Sequence, residues 1–476
     1  MSGIAGIALA LALLVWLAYR GVSVLLLAPL LAMLAALFSA DAPLLASYTQ
    51  VFMKALAGFI ALYFPLFLLG AIFGKLMQAC GAAGAVANWF SAHLGPQRAI
   101  LSIVLACAIL TYGGVSLFVV AFAVHPIAAA LFERARLPAR LIPASIALGA
   151  FTFTMTALPG TPAIQNAIPM PYFQTTPFAA PGLGILAGAV MLGLGMAWLN
   201  WRARRLHGRD EPCAAAIGGP TPGPPGDGMG AGGPCGATQA GAAPPAWVAL
   251  LPIVLVLTLN YVFSAHVFAA LDTSYLALAP YGPATLAQVS GIWSILCALA
   301  LSILMLVALN RQRLHDLRQV LDEGANGAIL PIFNTASLVG FGAVIASLAA
   351  FSAIRDAVLG IAPGQPLISL AIAVNLLAGI TGSASGGMSI ALQTLGPDYL
   401  ALARSAGIAP ELLHRVTTIA TGGLDALPHN GAVITLLSIC KLDHRRAYGD
   451  IFMVAVAGPV AALAVVVTLG SLAGSF

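Results

Sequence analysis

Charge is what this sequence has least of. Asp, Glu, Lys and Arg make up only 7% of its 476 residues, and 60% are hydrophobic. An ordinary soluble domain carries about 25% charged residues. A chain this poor in charge, with a mean hydropathy of +0.98, cannot cover itself for water. The reading is an all-α polytopic membrane protein. Short segments of alternating hydrophobicity are missing, which excludes a membrane β-barrel. The net charge of +5 comes from basic residues in short loops, so nucleic acid is not an expected partner. The six cysteines form no C-x-x-C pair and no cluster with histidine, which excludes zinc and disulfide frameworks and leaves them as small apolar residues. No H-E-x-x-H, no G-x-S-x-G and no metal-spaced set of acids is present, so an intramembrane enzyme, a cofactor and a metal are not expected. A basic n-region is also lacking, and Ile4–Tyr19 reads as a first span rather than a cleaved signal.

What the chain has in abundance is apolar runs with polar interruptions. Ile4–Tyr19, Val22–Phe38 and Phe59–Phe73 read as spans, and Leu76–Leu94 as an interfacial helix. Ala99–Leu110 and Leu117–Leu131 flank Thr111-Tyr112-Gly113-Gly114-Val115-Ser116. Together they are too long for one crossing, and a re-entrant hairpin is expected. Leu141–Leu158 enters again and breaks at 159–166, and Gly182–Leu199 closes the half. Pro212–Pro245, rich in Pro, Gly and Ala, reads as a disordered linker. Val248–Phe263, Val289–Val307 and Ile329–Ala349 then read as spans, with Ile354–Ala362 interfacial. Leu367–Ile380 and Met388–Ala403 flank a second tip at 381–387. Leu412–Ala420 leads into Thr421-Gly-Gly-Leu-Asp425-Ala-Leu-Pro428-His429-Asn430-Gly431, and Ile451–Leu469 is the last span.

The second half repeats the first. At one constant offset Phe64 falls on Phe333, Pro159 on Pro428, Thr161 on Asn430 and Ile164 on Val433. A small gap away, Gly113-Gly114 falls on Gly386-Gly387. The domain reading is a first repeat over 1–201, a linker over 202–246 and a second repeat over 247–476. Most Lys and Arg fall on one side of this tracing, with Lys54, Arg404 and Arg415 as exceptions. The positive-inside rule then places both termini in the periplasm and the linker in the cytoplasm of a bacterial inner membrane. Five crossings plus a hairpin in each half make the repeats inverted, an organisation common in transporters.

Lipid-exposed breaks of this kind leave backbone groups unpaired at several kcal/mol each, so the four interruptions are expected to line a shared site near the midplane. The half-helix N-termini carry about +0.5 charge and free N–H groups, which suits an anion. Candidate substrate ligands are Thr111, Tyr112, Gly113, Gly114, Ser116, Thr161, Gln165, Asn166, Ser383, Ser385, Gly386, Gly387, Ser389, His429 and Asn430. No Arg or Lys is expected near any interruption, so dipoles and hydroxyls are expected to hold the anion. The competing reading makes the glycines packing residues and the hydroxyls bond their own helices. Asp425 is the only carboxylate between Glu411 and Asp443 and is a proton-coupling candidate, with His429 as relay or substrate donor. The alternative is an ionised Asp425 capping the half-helix that follows. His125 has no nearby acid in sequence and reads as a packing histidine. Asn166, Asn334 and Asn375 are ligands or interhelical glue.

At these motifs the chain resembles the gluconate permease family within the ion transporter superfamily. The residues that carry the resemblance are Tyr112-Gly-Gly-Val-Ser116, the run 157–166, Gln174-Thr-Thr-Pro-Phe178 and the run 422–431. It is nearest to the branch of citrate and D-β-hydroxybutyrate permeases. The resemblance implies a proton-coupled symporter, an organic acid permease for gluconate, hydroxybutyrate or citrate-like carboxylates. It also implies a homodimer in the lipid bilayer, with an elevator-type transport domain. Sodium coupling is the alternative. The tips here read Tyr-Gly-Gly and Ser-Ala-Ser-Gly-Gly where the superfamily often has Ser-Asn-Thr. A channel is less well matched, because no ring of repeated carbonyls is visible.

Overall fold

The structure is a computed structural model that describes residues 2–20, 22–39, 42–206, 243–278, 285–362, 364–428 and 430–476. It is all-α, with no strand among the described residues. Eight described helices are long and apolar enough to cross a membrane, or up to nine if a bent pair counts as one span. The protein is an all-α polytopic membrane protein, as its composition requires. The linker reading falls on 207–242, outside the described residues.

The element order runs twice. A helical pair opens each half: Ser2–Tyr19 with Val24–Leu37, and Ala246–Val262 with Leu286–Leu309. A long helix follows, Leu44–Ala79 in the first half and Leu317–Ser347 in the second. Next comes a short helix, Ala82–Leu94 or Phe351–Leu359. The hairpins are Ala99–Tyr112 with Leu117–Arg134, and Pro366–Thr381 with Ala384–Ser405. The first broken span starts at Ile142–Ala150 and Phe153–Thr156 and resumes at Ile164–Ala167 and Pro169–Phe173. The second starts at Pro410–Leu424 and resumes at Gly431–Ile439. Pro181–Leu206 and His444–Ala473 close the halves.

Packing respects the repeat. Val24–Leu37 lies on the long helix of the second half, and Leu286–Leu309 lies on the long helix of the first. The two long helices pack on each other, as do the two closing spans. Glycine makes the central approach possible. A Cβ on Gly324 would stand 2.9 Å from the Ile72 backbone, and one on Gly340 2.9 Å from the Phe52 ring. Lys75 and Glu323 tie the long helices at 2.8 Å.

Both long helices exceed the expected spans. Leu44–Ala79 extends well beyond Phe59–Phe73, through a π-helical turn at Ser47–Phe52 and over Pro65. Leu317–Ser347 begins twelve residues before Ile329, over Arg318, Asp322 and Glu323. Hydropathy marks only the apolar stretch of a helix, and the polar turns that continue it, with Arg318 and Asp322 largely exposed, fall outside that stretch.

Candidate functional site

Each hairpin is stitched to the broken span of its own half. The Tyr112 hydroxyl donates to the Pro159 carbonyl at 2.6 Å, and Gly114, at φ 93°, lies against Pro162. In the second half Asn430 Nδ2 donates to Gly382 O at 3.0 Å and to Asp425 O at 2.6 Å. Asn375 Oδ1 accepts from Leu424 N at 3.0 Å, so this asparagine is interhelical glue. The halves meet where the first segments of the two broken spans touch. A Cβ on Gly422 would lie 3.2 Å from Thr156. The outer arms then cross over: Leu117–Arg134 packs on Gly431–Ile439, and Ala384–Ser405 packs on the second segment of the first broken span. His125 sits on the first of these arms.

The tip glycines serve close packing. A Cβ on Gly113 would meet Ile253, one on Gly386 would meet Leu338, and one on Gly387 the Ala378 backbone. Two clefts are lined by other residues: one lies between the closing spans, the other beside Gln174–Pro181 and Glu411. Ser383 caps its hairpin arm by accepting from Gly386 N at 3.1 Å. Ser385 Oγ faces Thr335 Oγ1 at 3.4 Å. Ser116 precedes Leu117–Arg134 without a side-chain capping bond. Thr161 Oγ1 accepts from Ala163 N at 3.3 Å. His429 lies outside the described residues.

Four candidates share another property. Thr111 Oγ1, Gln165 Oε1, Ser389 Oγ and Asp425 Oδ1 are shielded from solvent with no hydrogen-bond partner among the described residues. Thr111, Gln165 and Asp425 fall in three of the four interruptions, and Ser389 lies two residues past the second tip, in the hairpin arm Ala384–Ser405. Others of this kind, such as those of Ser102 and Ser302, sit within helices away from the breaks. Asp425 follows the last turn of Pro410–Leu424, at the carbonyl end, where the helix's partial charge is negative. It does not cap the next half-helix. Asn430 does, accepting from Ala432 N at 2.5 Å and Val433 N at 3.2 Å.

Two strongly placed residues were missed in the sequence, His414 and Arg415. Arg415 is fully buried, not an outer-loop exception to the charge rule. Its Nη1 donates to Ala157 O at 3.0 Å, and its Nε and Nη2 donate to Ala179 O at 3.0 and 2.6 Å. A cation therefore lies against the break in the first broken span, contrary to the expectation that none is near an interruption. It sits at the carbonyl end of Phe153–Thr156, where a positive charge is favoured. The neighbouring His414 bridges Thr175 Oγ1 at 2.6 Å and Asn166 Oδ1 at 3.2 Å. Asn166 Nδ2 donates to the carbonyls of Thr161 and Pro177 at 3.1 and 3.0 Å, so its oxygen faces His414. The network therefore assigns the proton to Nε2, and Nδ1 accepts from the Thr175 hydroxyl. A histidine-arginine pair inside Leu412–Ala420 was the available signal, because charge within an apolar span marks either function or a buried partner. Buried Thr152, Thr154, Thr156, Thr417, Thr418 and Thr421 line the same crossing. Five of them bond carbonyls within their own broken span, and Thr417 Oγ1 has no partner among the described residues.

No family model matches the chain. Over 470 residues it is 41% identical to the uncharacterized transporter YxjC of Bacillus subtilis (strain 168), covering 97% of each chain. The crystal structure of the Alcanivorax borkumensis YdaH transporter superposes with a TM-score of 0.48 at 14% identity, over 98% of this chain and 99% of that one. At 41% identity along nearly its whole length, the chain belongs to the same transporter family as the Bacillus subtilis protein.

Proposed function

We propose that this transporter is a secondary active symporter of the gluconate permease kind, carrying a small organic anion together with a proton. The observation that carries the reading is a buried polar atom with no partner among the described residues in three of the four interruptions, at Thr111, Gln165 and Asp425, with a fourth at Ser389 just past the second tip. Buried polar groups are nearly always hydrogen-bonded, so such exceptions at or beside the breaks favour a ligand that completes them. Three of the four, at Thr111, Gln165 and Ser389, belong to neutral side chains. Arg415 adds a buried positive charge with only backbone carbonyls as partners, and so favours an anion. Asp425 is the proton carrier in this reading. A carboxylic acid crosses a low-dielectric barrier without charge, whereas the carboxylate needs a cation.

The hairpins and broken spans form the moving part, and the opening pairs and long helices form the scaffold of an elevator in each protomer of a homodimer. The repeats are inverted, with both termini periplasmic and the linker cytoplasmic in a bacterial inner membrane. The test is uptake by purified protein in liposomes, with a panel of carboxylic and hydroxy acids of three to six carbons. Wild type accumulates one of them uphill when a pH gradient is imposed and sodium is absent. Asp425→Asn exchanges preloaded substrate but does not accumulate it. Uphill uptake by Asp425→Asn with an unchanged pH profile removes the acid from the coupling step. A strict sodium requirement replaces the proton with sodium.

A further inference from the structure

The two closing spans enclose a groove that the transport reading does not use. Leu194, Trp198 and Trp201 of Pro181–Leu206 form one wall, and Met453 and Gly458 form the other. Its volume is about 330 Å3, and it opens sideways, because Leu194 and Trp201 are 47% and 45% exposed. The groove has a structural cause. His444–Ala473 passes through a π-helical turn at Met453–Ala457, which widens the helix locally, and Gly458 follows without a side chain. The wall therefore recedes where two tryptophans stand opposite.

One end of this groove is basic. The Arg205 guanidinium stacks 5.1 Å over the Trp201 ring. Arg204 is exposed beside it. The acid at this end is already neutralised. Asp450, 2% exposed, accepts from Trp198 Nε1 and Arg202 Nε at 3.1 Å each, with Arg140 Nε 3.7 Å away. Arg140 and Arg202 are thus engaged with that carboxylate, which leaves the exposed Arg204 and Arg205, next to Trp201 on the same helix, as the uncompensated charge at this end.

We propose that this groove binds an anionic diacyl phospholipid. One acyl chain lies along Leu194, Trp201 and Met453, and the phosphate meets Arg204 and Arg205. Charge complementarity favours this occupant. A headgroup with net negative charge is drawn to the arginines, whereas a choline headgroup brings a cation against them. Tryptophans at the boundary suit the glycerol level of a lipid. The site sits on the packed seam between the two halves, so the lipid clamps the closing spans together.

The experiment is native mass spectrometry of the purified full-length protein, titrated with dioleoyl phosphatidylglycerol or dioleoyl phosphatidylcholine. Wild type binds phosphatidylglycerol at least ten-fold more tightly. Arg204→Gln with Arg205→Gln weakens it by roughly five-fold per arginine and leaves phosphatidylcholine unchanged. Ala197→Trp, which fills the groove from the wall, abolishes the tight phosphatidylglycerol site even with both arginines present. Arg318→Gln, at a side chain 94% exposed on another helix, leaves binding at the wild-type level. Equal affinity for the two lipids, or wild-type phosphatidylglycerol affinity in the double arginine variant, overturns the proposal. Displacement of the lipid by an equal concentration of glycerol phosphate also overturns it, because the acyl groove would then contribute nothing.

Discussion

The two broken spans face the same difficulty, an interrupted helix in a place with little water, and they draw on different partners. The first is fastened from both halves. Arg415 holds the Ala157 and Ala179 carbonyls, His414 holds Asn166, and Asn260 Nδ2 donates to Gly160 O at 2.9 Å. Tyr63, from the long helix, donates to Ile168 O at 3.1 Å. The second is fastened from within its own half. Asn375, Asn430, His444 and Tyr448 supply the bonds, the last two to Pro428 O and Ala426 O at 3.1 and 3.2 Å. The first break is therefore a joint between the repeats, and the second is closer to a self-contained unit. The lone acid, Asp425, lies in the self-contained one. Pseudo-symmetry of the backbone does not extend to the chemistry that completes it.

Four substitutions test this contrast, in order of falling effect on stability. Arg415→Met removes three charge-assisted bonds and strands two buried carbonyls, at roughly 1–3 kcal/mol each. It is expected to cause the largest drop in thermal midpoint in detergent. A wild-type midpoint would mean that the first break does not depend on the opposite half. His414→Ala strands Asn166 Oδ1 and the Thr175 hydroxyl, at about 2 kcal/mol. Here the readout is hydrogen exchange, and amides of 159–178 should exchange faster while those of 431–439 stay protected. Faster exchange in both regions would dissolve the distinction between joint and unit. Asn430→Ala loses a helix cap worth about 1 kcal/mol. Its effect should be confined to 425–439 and the tip at Gly382, again seen by exchange. Asp425→Asn keeps the side-chain shape and should cost within about 0.5 kcal/mol, because Oδ1 has no partner among the described residues. A destabilisation comparable to that of Arg415→Met would make the acid a structural member rather than a coupling group.

Much of this was readable in the sequence, and the reasons differ by feature. Hydropathy located the spans, since any segment in lipid must be apolar and must satisfy its own backbone. Pro159 and Pro428, at equivalent places in two similar runs, marked the broken spans, because proline and glycine interrupt helices wherever they fall. The tips at Gly113-Gly114 and Gly386-Gly387 were found on the same ground, yet their role was not. Whether a glycine admits a ligand or a neighbour depends on what stands opposite, here Ile253 and Leu338. Asn430 was visible as a polar residue in a break. Its work as a cap depends on local dihedrals and shows only in the fold.

The sequence by itself determined the class of protein, the order of its apolar helices and the places where helices break. These follow from composition and local backbone rules that act over a few residues. Only the tertiary structure decided which groups meet across the break. Arg415 reads as an exception to the charge rule until the fold brings it against Ala157, 258 positions away in the chain. Its burial requires carbonyls from a distant segment, and no local pattern encodes a partner that far along the chain.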